Sequence, residues 1–149
     1  MFGEQSPSGH LPVTVARNVG QLPVYYGLPR GSGYVSAGHT GMIRNKNGYI
    51  NDTAEPLYYF GHGLSYTEFT YSDLQTDKKN INPDDTVKVT FTVKNTGEYD
   101  GAEVAQLYFS DKVASMVRPT KELAGFVRIF LKKGEKKKVV FEIKVSQFA

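Results

Sequence analysis

The stretch TVKVTFTVK, Thr86 to Lys94, carries its fold in its alternation. Val87, Val89, Phe91 and Val93 fall on one side of an extended chain, and Lys88, Thr90, Thr92 and Lys94 on the other. Successive side chains of a strand point to opposite faces, so this is a period of two without a slip. It predicts a β-strand with one face on a core and one in water.

Working outward, KKVVFEIKV repeats the pattern, with Val139, Phe141, Ile143 and Val145 expected inward. AEVAQLYFS sets Ala105, Leu107 and Phe109 on one face and Val104 and Tyr108 on the other. FVRIFLK, Phe126 to Lys132, is apolar on both faces and is expected to be covered on both. Asn95-Thr-Gly97 and Lys133-Gly134 are turn signals between strands. A further strand is expected at Thr67 to Tyr71. Short alternating strands separated by tight turns predict a mainly β, antiparallel sandwich of the fibronectin type III or immunoglobulin-like kind. Five strands are identifiable where such a sandwich has about seven. The expectation is a fold lacking its last hairpin.

Upstream the character changes. Between Met1 and Asp85 the chain is punctuated by proline and glycine, leaving only short extended pieces such as Leu11–Val15 and Leu22–Tyr26. No helix of three turns fits there. Fifty-odd residues of loop is more than a self-contained domain carries. Residues 1–64 are therefore expected to be an irregular arm and linker that wraps across another surface. Residues 65–149 are expected to be the sandwich, incomplete at its C-terminus.

The 149 residues suit one ordinary domain with an arm. Ten Tyr and nine Phe without a single Trp fit strands and wet-edged interfaces. A net charge of +3 is too diffuse for a nucleic-acid binder, and no apolar run reaches membrane-spanning length. Zero cysteines remove disulfides, thiolate nucleophiles and cysteine-bound zinc together. The densest basic run, Lys132, Lys133, Lys136, Lys137 and Lys138, reads as the solvated tip of a β-hairpin.

Chemistry-bearing residues are present but unarranged. A retaining glycosidase needs two carboxylates about 5 to 5.5 Å apart. Glu4, Asp52, Glu55, Glu68, Asp73, Glu98, Asp100, Glu103 and Asp111 sit in no motif that would hold such a pair. His10, His39 and His62 lack metal-ligand spacing, and Ser65 in GLSYT lacks the glycines of a nucleophile elbow. Gly31-Ser-Gly33 and Gly61-His-Gly63 lack a strand-to-helix phosphate-loop context. Asn51-Asp-Thr53 is formally an N-glycosylation sequon. No residue is assigned a catalytic, cofactor-binding or metal role, and no cofactor is expected.

PLYYFGHGLSYTEFTYSDL, Pro56 to Leu74, resembles the PLxxFGxGLSYTxFxYSxL segment of glycoside hydrolase family 3, the β-glucosidases and their relatives. Pro7-Ser-Gly-His-Leu-Pro-Val-Thr14 is similar to that family's NPSGKLPVTF, with Ser6 in place of its Asn. Asn18-Val-Gly-Gln-Leu-Pro-Val-Tyr-Tyr26 is similar to SVGQxPxYYN. Val93-Lys-Asn-Thr-Gly97, Gly101-Ala-Glu-Val-Ala-Gln-Leu-Tyr108 and Arg118-Pro-Thr-Lys-Glu-Leu-Ala-Gly-Phe126 resemble VxNTG, GxEVxQLY and RPxKELxGF. The segments run in family order over nearly the whole chain.

The resemblance implies the C-terminal part of a β-glucosidase-like enzyme, cut at both ends, with residues 1–64 the tail of its preceding catalytic domain. The parent would hydrolyse terminal β-linked sugars with retention, using an Asp of a barrel domain that this chain does not contain. No catalytic residue carries over, and Glu4 does not stand at the family's acid site. The implied partners are the catalytic domains of the same polypeptide, packed through Tyr58, Tyr59, Phe60, Tyr66 and Phe69, with Gly61 and Gly63 easing close approach. β-Glucosides or oligosaccharides would be ligands of the parent; self-association of the chain is also expected, and nucleic acid and membrane are not. Asp111 to Thr120 is nominated as a loop lent to the pocket rim. A secreted or periplasmic location is favoured over a cytoplasmic one. The rival reading is a stand-alone sandwich module that binds carbohydrate or protein without catalysis. Hydrolysis by the 149 residues alone is the third, and the chain by itself is expected to be inactive.

Overall fold

A computed structural model describes residues 3–27, 55–111, 116 and 118–148. Among these described residues there are five strands: β1 (Phe69–Thr76), β2 (Thr86–Asn95), β3 (Gly101–Phe109), β4 (Glu122–Leu131) and β5 (Lys136–Lys144). Single 3-10 turns occupy Val19–Gln21 and Val145–Gln147. The strands form a three-stranded sheet in the order β1-β2-β5 and a two-stranded sheet of β3 and β4. β1 and β5 both run antiparallel to β2.

Two compact units account for the chain. One comprises Met1–Gly9, Gly63–Leu107 and Ala124–Ala149, and the other His10–His62 and Tyr108–Leu123. The first holds the core. Phe91, Val93, Ala105, Leu131 and Val139 are buried together, with Phe69, Val127, Ile129 and Phe141 packed against them. Val87, Val89, Phe91 and Val93 are all buried along β2, while Lys88 and Lys94 are exposed. The alternation of TVKVTFTVK is thus the inside and outside of a sheet. Each large apolar side chain taken from water here contributes about 1.5–3 kcal/mol before ordering costs. The ring of Phe141 stacks on that of Phe91 at 5.9 Å. A Cβ on Gly125 would lie 3.1 Å from Phe141 Cδ1, so glycine there lets β4 approach that ring.

Buried Asn95, fully excluded from solvent, closes the end of the sandwich. Its Oδ1 accepts from Thr67 Oγ1 at 2.7 Å and from Gly97 N at 3.1 Å. Its Nδ2 donates to Tyr99 O at 2.7 Å and to Leu131 O at 3.2 Å. Its backbone N donates to Glu135 O, and its O accepts from Gly134 N. One side chain therefore ties the entry of β1, the β2–β3 turn and the β4–β5 turn. A buried amide is tolerated because its donors and acceptor are all matched.

Several local expectations need correction. The early strand begins at Phe69 rather than Thr67 and continues to Thr76. Its pairing with β2 shifts between Ser72 and Gln75, where Asp73 takes a positive φ of 57°. One residue is inserted there, a bulge that a propensity reading does not register. β5 ends at Lys144, and Val145 opens a 3-10 turn whose N–H donates to Asp85 O. FVRIFLK is not covered on both faces: Val127, Ile129 and Leu131 turn to the core, while Phe126 and Phe130 are exposed. β3 is β4's one partner strand among the described residues.

The lysine run is not a hairpin tip either. β4 pairs with β3 and β5 with β2, so Lys132–Glu135 crosses from one sheet to the other. Gly134 turns the chain there with φ +75°. Glu135 accepts from Lys132 N and donates its own N–H back to Lys132 O. Lys133 is bound by Glu98 and Asp100, so acidic neighbours offset part of the run.

Candidate functional site

The FGHG segment folds as a tight turn. His62 N donates to Tyr59 O at 3.0 Å, and Gly61, third of the four residues, has φ +81°. That is the position where a type II turn demands a positive φ, which glycine adopts without penalty. The turn is fastened to the upstream piece Leu11–Val15. Leu11 N donates to His62 O, Gly61 N to Leu11 O and Val15 N to Tyr58 O, each at 2.8–2.9 Å. Val15 and Tyr58 form an antiparallel bridge, and His10 Nδ1 lies 2.6 Å from Gly61 O. The apparent loop residues of both motifs therefore share one ladder.

Rings are gathered around this turn. Phe60 stacks on Tyr26 at 4.2 Å and meets Tyr108 edge-on at 6.5 Å. Lys121 Nζ lies 5.2 Å over the Tyr108 ring, within cation–π range. Burial, with Tyr26 nearby, pushes the Tyr108 phenol above its ordinary value. Tyr58 stacks on His62 at 4.9 Å. Gln21 is buried beneath, its Oε1 accepting from Arg17 N and its Nε2 donating to Glu55 O.

The five rings expected to pack outward divide. Tyr58, Tyr59 and Tyr66 are 44%, 48% and 57% exposed. Phe60 spends its faces on Tyr26 and Tyr108, and Phe69 packs against the sandwich core. The two phenylalanines have no hydroxyl to keep in water, so they are drawn inside the chain's own units. Next to Tyr66, Ser65 Oγ lies 2.7 Å from Ser6 Oγ, and Tyr66 N donates to Ser6 Oγ at 3.0 Å.

The carboxylates are dispersed. Glu103 accepts from Tyr71 at 2.7 Å, Glu98 pairs with Lys133, Asp100 receives Lys133 N–H, and Asp73 sits in the β1 bulge. No group of three or more His, Asp or Glu able to hold a metal occurs among the described residues. Asp52, His39, the Asn51 sequon, Gly31-Ser-Gly33 and half of the 111–120 loop lie outside the described residues. Sequence reasoning missed Asn95 and Gln21 as organising residues. The signal for Asn95 was its place in the NTG turn, read only as a turn.

Residues 103–149 match the fibronectin type III-like domain family. The chain is 43% identical over 150 residues to the periplasmic β-glucosidase of Salmonella typhimurium, covering 98% of this chain and 19% of that protein. It is 41% identical over 143 residues to a β-xylosidase of Formosa agariphila, covering 96% and 18%. Among solved structures, a β-glucosidase from Erythrobacter marinus superposes with a TM-score of 0.85 at 43% identity, over 99% of this chain and 18% of that one. The chain thus spans about a fifth of the length of these relatives. The resemblance read from the motifs is borne out, and so is the sandwich.

Proposed function

We propose that this chain, a fibronectin type III-like domain matching a short part of β-glucosidase-family enzymes, is the non-catalytic structural portion of a retaining β-glucosidase. The parent would hydrolyse terminal β-D-glucosyl residues by double displacement: a carboxylate attacks the anomeric carbon while an acid protonates the leaving oxygen. This portion contributes rigidity and a packing surface.

The observation that carries the reading is the ordered exposure of Tyr58 and Tyr59. A hydrogen-bonded turn presents rings that are half in water, an arrangement suited to a seam with another domain of the same polypeptide. The match to enzymes about five times longer supports it. A location outside the cytoplasm belongs to the same reading, in line with the periplasmic relative.

The test is a hybrid enzyme in which this chain replaces the matching fifth of a β-glucosidase relative. An active hybrid that loses activity when Tyr58 and Tyr59 are both changed to Ser supports the reading. Tight binding of a glucan by the 149 residues alone, with no assembly into the hybrid, sinks it in favour of a free-standing binding module.

A further inference from the structure

The outer side of β4 bears a stripe that the sandwich itself does not use. Phe126, Arg128 and Phe130 alternate along the strand away from the core, and the two rings are 68% and 51% exposed. A strand with one face in water ordinarily places polar residues there. Two large rings on one strand are a liability unless something covers them.

A second observation says what lies beside the stripe. Residues 6–8 belong to the same compact unit as β4 from Ala124 onward. Arg128 Nε donates to Ser8 Oγ at 3.3 Å. Ser6 is held by Ser65 and Tyr66 N, and its Cβ lies 3.8 Å from where a Cβ on Gly101 would stand. The N-terminal segment is thus already anchored at the middle of the stripe, on the one cation that separates the two rings.

We infer that the Phe126–Arg128–Phe130 face is a second seat for the parent enzyme, occupied by the catalytic domain from which residues 6–8 extend. This rests on the function proposed above. The occupant is defined by chemistry: apolar surface over both rings, with a carboxylate or backbone carbonyl directed at the Arg128 guanidinium. It continues an attachment that Ser8 begins, and it explains why a run apolar on both faces leaves one face bare in this chain.

Hydroxyl-radical footprinting of Phe126 and Phe130 tests it, comparing the 149-residue chain with the same chain inside the hybrid β-glucosidase. The expected result is strong labelling of both rings in the chain alone. In the active hybrid, labelling should fall about fivefold or more, as for a residue passing from surface to interior. A hybrid that is active yet labels both rings as strongly as the free chain overturns this inference and leaves the proposed function standing. An inactive, unassembled hybrid overturns both. Protection of both rings in the chain alone, as a dimer, overturns it in favour of a second copy as occupant. In the assembled hybrid, Phe126→Ser with Phe130→Ser should lower the melting temperature, while the same pair of changes leaves that of the 149-residue chain unchanged. An equal drop in both would assign the rings to the chain's own stability and overturn the inference.

Discussion

Thr67 donates its hydroxyl proton to Asn95 Oδ1 across 2.7 Å inside the protein, 28 residues apart in sequence. That bond joins the entry of β1 to the end of β2, and the same amide reaches Tyr99 O and Leu131 O. Replacing Asn95 by Ala would leave several buried partners without a match. The expected loss is about 2–4 kcal/mol, read as a lower urea midpoint with an unchanged slope.

Gly97 stands against the same residues. A Cβ there would collide with Thr67 Oγ1 and the Glu68 backbone nitrogen, and would lie 2.9 Å from Thr67 Cα. Backbone cannot swing aside as a flexible side chain would. Gly97→Ala should destabilise by about 2 kcal/mol or more, from overpacking. Gly9→Ala, with open space around its Cβ, serves as the control and should be close to neutral.

Asp73 occupies the bulge in β1 with φ +57°, its carboxylate accepting from Ser72 Oγ at 2.9 Å. A left-handed backbone costs an ordinary L-residue roughly 1–2 kcal/mol, less for Asp than for a branched side chain. Asp73→Gly should raise the melting temperature slightly or leave it unchanged, and Asp73→Val should lower it. The opposite order would remove backbone conformation as the reason for Asp at this site.

Tyr71 predicts the alkaline limb of the stability curve. Burial, then the hydrogen bond and charge of Glu103, push its phenol well above the ordinary tyrosine value. The folded state therefore keeps a proton that the unfolded chain releases near pH about 10. The stabilisation is complete below that pH and is lost as pH rises toward the folded value. Denaturant midpoints should fall above pH about 10, and fall less steeply in Tyr71→Phe.

Asp85 sets an acid limb. Hydrogen bonding to Asn82 N, then to Lys78, holds its carboxyl below the usual value. Its contribution is present above the unfolded carboxylate range and is lost as pH falls through the lower, folded one. Asp85→Asn should flatten the decline seen on acidification below pH about 4. An unaltered acid limb would show that other carboxylates carry it.

Much of the architecture was legible along the chain. Val87 to Val93 and Val139 to Ile143 announced their inward faces by a period of two, because the pleat of a strand imposes that period on each residue independently of its partners. Gly61 and Gly134 announced turns because a positive φ is penalised for every other residue type.

Tertiary structure alone decided which strands pair, and so which faces are covered. β4 and β5 are neighbours in sequence, joined by four residues that look like a hairpin, yet each pairs elsewhere. That choice made Asn95 a buried hub and left Phe126 and Phe130 bare. Tertiary contacts likewise took Phe60 onto Tyr26 and Phe69 onto the core, while Tyr58, Tyr59 and Tyr66 stayed in water. Alternation is a local property, written residue by residue. Pairing and burial are set by which distant segments meet, and their free energy belongs to that meeting rather than to any one stretch of sequence.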